Sequence, residues 1–153
     1  FWPSNETMVD YMTRNEELDD PLTSILSWKS KVMTIKHVAA GEYVGYGTSF
    51  LANRNTKVAI VPVGYAYGYA RSLSNQGRVL IHGTRVTVIG TVNMNMLAID
   101  VTEIEDVQHD DEVVMIGFQG DNRITVSSFS EMSSQLNYEL LARLPHNIPR
   151  IVE

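Results

Sequence analysis

The stretch RVLIHGTRVTVI, residues 78–89, decides the fold. Residues 78–82 and 85–89 are rich in Val and Ile, and they flank Gly83-Thr84. That pattern predicts two short strands joined by a tight hairpin turn. Upstream, residues 58–63 form a continuous apolar run, as a strand buried on both faces would. Further back, Ile25, Trp28, Val32, Ile35 and Val38 lie among polar residues, the mark of half-buried β structure. Downstream, residues 94–101 and 112–116 read as strands separated by an acidic loop, and residues 117–122 as a turn leading into Arg123-Ile124-Thr125.

The period changes near the C-terminus. Ser128 and Glu131 have capping-box spacing, and Met132, Leu136, Leu140, Leu141 and Leu144 follow at helical intervals until Pro145 and Pro149. At least six strands followed by a helix predict a mainly β fold. The expected form is a small antiparallel barrel, closed or nearly so, with a short C-terminal helical segment. Residues 4–20 differ, being rich in Asn, Glu, Asp and Thr before Asp19-Asp20-Pro21. Residues 1–21 are expected to be a linker and residues 22–153 the β domain.

Composition narrows the function classes. The chain has 153 residues, 44% hydrophobic and 20% charged, enough for a real core. A net charge of −6 argues against nucleic acid and acidic membranes as partners. With no cysteine there is no disulfide framework, thiolate metal site or cysteine nucleophile. His37, His82, His109 and His146 are scattered without ligand spacing, so no metal site is expected. No Gly-x-Ser-x-Gly elbow and no P-loop occurs. No apolar run reaches the roughly 20 residues that span a bilayer. The start, Phe1-Trp2-Pro3, has no initiator Met and no signal-peptide order. A cytoplasmic protein cut from a longer chain is the expectation.

The remaining lead is a cluster of phenols. Five of the seven tyrosines lie between positions 43 and 69, four of them in the two glycine frames Gly45-Tyr46-Gly47 and Gly64-Tyr65-Ala66-Tyr67-Gly68-Tyr69. Glycine permits unusual backbone and close approach of a ligand, and a phenol can transfer a proton. Equally, tyrosine is a good strand residue and glycine marks turns and bulges. A third element, Gly90-Thr91-Val92-Asn93-Met94-Asn95-Met96, alternates Asn with Met. Residue chemistry alone leaves a β module with three polar loops that could converge on a ligand.

These elements, in this order, resemble the C-terminal β domain of the bacterial alanine racemases, which depend on pyridoxal phosphate. The resemblance runs through Gly45-Tyr46-Gly47-Thr48-Ser49-Phe50, Val61-Pro62-Val63-Gly64-Tyr65, Gly90 to Met96 with Asp100-Val101-Thr102, and Leu136-Asn137-Tyr138-Glu139 with Arg143-Leu144-Pro145. It implies that Tyr46 is the catalytic base on one face of the substrate, facing a lysine that also forms the Schiff base with the cofactor. It implies that Tyr138 meets the cofactor phosphate, Tyr65 lines the substrate passage, Met94 binds the substrate carboxylate through its backbone N–H, and Arg71 lies further out along the passage.

The same resemblance implies partners. The Schiff-base lysine would lie on an N-terminal (β/α) barrel domain, and Tyr46 would act across a homodimer interface on a small amino acid, supplying D-alanine for peptidoglycan. The fragment alone is expected to be inactive, with Trp2, Tyr65, Tyr69 and Met94 on an exposed face. Departures are Tyr67 and Asn95, where many members have Asp, and Thr91, where Arg is common; they bear on the choice of amino acid. A racemase of broader or serine specificity, or a non-catalytic β-barrel module for binding or dimerisation, are the alternatives.

Overall fold

A computed structural model describes residues 25–133 and 137–152, without the side chains of residues 130–133, 137, 138 and 143. Among the described residues ten strands form: β1 (Trp28–Lys31), β2 (Thr34–Val38), β3 (Tyr43–Val44), β4 (Phe50–Leu51), β5 (Thr56–Val61), β6 (Arg78–Ile81), β7 (Thr84–Ile89), β8 (Leu97–Asp100), β9 (Glu112–Gln119) and β10 (Asn122–Ile124). Two helices follow, α1 (Val126–Ser133) and α2 (Asn137–Arg143). The expected linker, residues 1–21 with Trp2, lies outside the described residues.

The main sheet runs β1-β9-β6-β7-β8-β5-β2, with β10 paired to β9, and every pairing is antiparallel. The mainly antiparallel class is as expected, but the ladder is not hydrogen-bonded shut. Its two ends, β1 and β2, are consecutive segments running on through Val32 and Met33, and they do not pair with each other. Instead the chain changes partner there: the Val32 N–H donates to the Asp111 carbonyl at 2.9 Å and the Met33 N–H to the Ile60 carbonyl at 2.8 Å.

The hairpin 78–89 forms, with its turn at His82-Gly83 rather than Gly83-Thr84. Thr84 pairs with Ile81, and His82 and Gly83 have φ of 49° and 70°. Positive φ at both central residues matches the twist of the flanking strands. Strand β8 begins at Leu97 rather than at Met94, because the residues before it are engaged by another loop. The turn after β9 falls at Gly120-Asp121, and Gly117 remains within the strand.

Strands β5 to β9 supply the centre of the core, where Ala59, Val61, Val79, Ile81, Val88, Leu97, Ile99 and Met115 are buried. An aromatic cluster closes one side. Tyr69 and Phe129 meet edge to face at 5.0 Å between centroids, and Trp28 lies 6.1 Å from each. Tyr69, expected on the exposed face, is fully buried here because its ring fills the space beside Gly77, where a β-carbon would stand 2.3 Å from the Tyr69 hydroxyl. Helix α1 starts earlier than the Ser128–Glu131 spacing predicts. Thr125 caps it: the Ser128 N–H donates to Thr125 Oγ1 and the Thr125 N–H to Ser128 Oγ, both at 3.1 Å.

Candidate functional site

Three loops meet where β5 ends and β8 begins. The first joins β3 to β4 and carries Tyr46 between Gly45 and Gly47, at φ of 83° and 76°. Two left-handed residues in so short a loop lift Tyr46 clear of the sheet, and it is 78% exposed. The second follows β5. Residues Tyr65–Tyr67 form a 3₁₀ turn closed by Gly68, leaving Tyr65 half exposed while Tyr67 packs on the core. The third, residues 90–96, carries Met94, which is also exposed.

Backbone contacts bind these loops together. The Tyr65 N–H donates to the Asn93 carbonyl at 3.1 Å and the Ala66 N–H to the Met94 carbonyl at 3.0 Å. The Met94 carbonyl is thus used, whereas its N–H donates no hydrogen bond among the described residues. On the other side, Gly45 lies against Gly90: a β-carbon on Gly90 would stand 3.0 Å from the Val44 carbonyl oxygen. Glycine at both positions lets the Tyr46 loop touch the Met94 loop backbone to backbone.

Side chains reinforce that contact. Thr91 Oγ1 lies 2.8 Å from Ser49 Oγ and 3.2 Å from the Tyr46 carbonyl oxygen. A second 3₁₀ turn, Arg71–Leu73, is rooted by buried Leu73 and followed by Ser74 and Asn75, which reach both loops. The Arg71 side chain is exposed at this turn. So the structure brings Tyr46, Tyr65 and Met94 onto adjoining loops, with Arg71 on a turn linked to them. Tyr138 lies in the first turn of α2, and its side chain is outside the described residues.

Ser49, Ser74 and Asn75 are absent from the sequence-based candidates. The run Ser74-Asn75-Gln76-Gly77 carries a turn signal, which could have located the turn but not its partners.

The site has no metal-ligand cluster among the described residues. All four lysines stand on strands: Lys29 and Lys31 on β1, Lys36 on β2 and Lys57 on β5. Lys29 pairs with Glu112 at 3.1 Å and Lys31 with Asp110 at 3.7 Å. Lys57 stands at the start of β5, the end away from Gly64, opposite His37. None lies in the three loops, so these residues do not fit covalent attachment of an aldehyde cofactor such as pyridoxal phosphate.

The fold and its loops define an antiparallel β domain that presents an exposed phenol on a loop tied to that of Met94. Residues 25–152 match the family described as alanine racemase, C-terminal domain, and the chain belongs to it. It is 43% identical over 129 residues to an alanine racemase of Halothermothrix orenii, covering 84% of this chain and 34% of that protein. To an alanine racemase of Leptospira interrogans it is 40% identical over 153 residues, covering 99% of this chain and 39% of the relative.

Solved structures agree. Alanine racemase from Bacillus anthracis with bound L-Ala-P superposes with a TM-score of 0.82 at 30% identity, covering 99% of this chain and 36% of that one. Alanine racemase from Bartonella henselae with covalently bound pyridoxal phosphate gives 0.80 at 27% identity, covering 88% and 37%. The chain therefore spans little more than a third of these proteins.

Proposed function

We propose that this chain serves as the C-terminal domain of an alanine racemase, with Tyr46 as one of the two groups that exchange the α-proton between L- and D-alanine. The observation that carries this reading is the setting of Tyr46: an exposed phenol between two left-handed glycines, on a loop tied to the loop of Met94. Its hydroxyl, Oη, would hold and release the proton. The free Met94 N–H would hold the substrate carboxylate, which needs a donor and not a particular side chain. Tyr65, on the loop clasped to Met94, would narrow the passage to small substrates, and Arg71 would stand at its outer part. Tyr138 would meet the cofactor phosphate.

Pyridoxal phosphate would be held covalently by a lysine outside this chain, on the part of the relatives that it does not span. In this reading that part is the protein's own barrel domain, with the facing site supplied by a second subunit of a homodimer in the bacterial cytoplasm, making D-alanine for peptidoglycan.

The test is Tyr46→Phe in the full-length racemase carrying this domain. Removing only the proton carrier should lower kcat for L-to-D and D-to-L alanine by about 100-fold or more, with KM little changed. Normal rates in both directions would sink the role given to Tyr46.

A further inference from the structure

We propose that Asn75 is the positioning residue for Tyr46. This inference rests on the reading of Tyr46 as a proton-transfer group. The Tyr46 loop is a poor anchor for a catalytic phenol: it joins two-residue strands, its glycines are at positive φ, and Tyr46 itself is exposed. What fixes it comes from elsewhere. Asn75 Nδ2 donates to the Ser49 carbonyl at 2.8 Å, gripping the far side of the loop, while Asn75 Oδ1 accepts from the Gly90 N–H at 2.6 Å. One amide group thus fastens the Tyr46 loop to the loop that runs on to Met94.

The grip has a rigid base. Leu73 is fully buried, and its carbonyl accepts from the Gln76 N–H at 3.2 Å and the Gly77 N–H at 2.8 Å. Next to Asn75, Ser74 Oγ accepts from the Val92 N–H at 3.0 Å. Residues 90 and 92 therefore face Asn75 and Ser74, which leaves the Thr91 hydroxyl beside Ser49 and the Tyr46 carbonyl. Asn75 has φ of 60°, a left-handed conformation that asparagine tolerates and most side chains resist. Asparagine is also the shortest side chain with both an amide donor and a carbonyl acceptor, so the position asks for what it supplies.

The experiment uses Asn75→Gly and Asn75→Asp in the full-length, cofactor-loaded racemase. Glycine keeps the left-handed backbone and removes both bonds. It should lower kcat about 10- to 100-fold with KM within about twofold, since misplacing a reacting group by about an ångström costs rate on that order. Amide hydrogen exchange gives an independent readout: the Gly90 N–H should exchange faster, while core amides such as Val88 and Val113 keep their protection. Aspartate retains the acceptor for Gly90 but not the donor to Ser49, so it should restore Gly90 protection without restoring kcat. An Asn75→Gly enzyme with kcat within about twofold of the parent, or a loss confined to KM, overturns the proposal. Parallel assay of Tyr46→Phe separates the two claims. If that variant is dead and Asn75→Gly is normal, only the positioning role fails. If Tyr46→Phe is normal, the function assigned to Tyr46 fails, and unchanged exchange at Gly90 would then refute the clamp as well.

Discussion

Gly64 lies so close to Asn93 that a β-carbon on it would stand 2.1 Å from the Asn93 carbonyl oxygen and 2.5 Å from that of Met94. Its own φ of −150° is open to any residue, so space and not backbone conformation demands glycine here. Both obstructing atoms are backbone, and they accept the hydrogen bonds that clasp the Tyr65 loop to the Met94 loop. Gly64→Ala must therefore part the two loops. We expect a loss of about 1–3 kcal/mol in urea unfolding, as for other overpacked sites. A midpoint equal to the parent's would show that the loops separate without cost.

Tyr69 gives a pH dependence that can be signed. Burial pushes its phenol well above the ordinary tyrosine range, against a weaker opposing pull from the Arg78 guanidinium. Below about pH 10 the phenol is protonated in the folded and unfolded chains alike, and its contribution to stability is fully present. Above that, the unfolded chain releases the proton and the folded chain keeps it. Stability should then fall by about 1.4 kcal/mol per pH unit on this group's account. Tyr69→Phe should remove that component, seen as a shallower decline of the urea midpoint above about pH 10. The Tyr69 hydroxyl has no hydrogen-bond partner among the described residues, so near neutral pH the variant should match or exceed the parent in stability. Equal alkaline slopes in the two proteins would contradict the assignment.

Thr125 and Ser128 cap helix α1 reciprocally. The cap also seats Phe129, fully buried against Trp28 and Tyr69. Thr125→Ala should lower stability by about 1 kcal/mol, and Thr125→Ser by much less, because serine keeps the capping oxygen. A change below a few tenths of a kcal/mol for the alanine variant would mean that tertiary packing alone sets the start of the helix.

The legible parts of this chain are those governed by local chemistry. The apolar run of β5 and the hairpin of β6 and β7 follow from side-chain pattern, and they appear with shifts of a residue or two. The turn falls at His82-Gly83 because both positions take positive φ, a choice that the apolar pattern does not distinguish from Gly83-Thr84. The start of α1 is ambiguous in sequence because Ser128–Glu131 has the usual capping-box residues, while Thr125 stands three residues before Ser128 and can cap a helix one turn earlier, as it does. Tyr69 is buried against expectation for a longer-range reason. Its loop emerges beside exposed Tyr65, yet Gly77, Trp28 and Phe129 come from distant positions to enclose it. The loops of the site can be located from their glycines and tyrosines. What fastens them cannot, since Asn75, Ser49, Thr91 and Gly90 meet only through the fold.

Thr91 and Asn75 hold the same loop from two sides, and that makes their effects interdependent. Thr91→Val keeps the shape and removes the hydroxyl that meets Ser49 Oγ and the Tyr46 carbonyl. Those acceptors lie at an exposed loop and can turn to water, so the stability loss should stay below about 1 kcal/mol. The kinetic effect should depend on Asn75. While Asn75 grips Ser49, loss of the Thr91 contact leaves the Tyr46 loop one anchor; after Asn75→Gly the loop is already loose, and losing Thr91 should matter less. A double-mutant cycle on kcat in the full-length racemase should give a coupling of about 0.5–3 kcal/mol, the range for residues sharing one network. Effects that simply add, to within about 0.3–0.5 kcal/mol, would show that the two side chains act on separate elements.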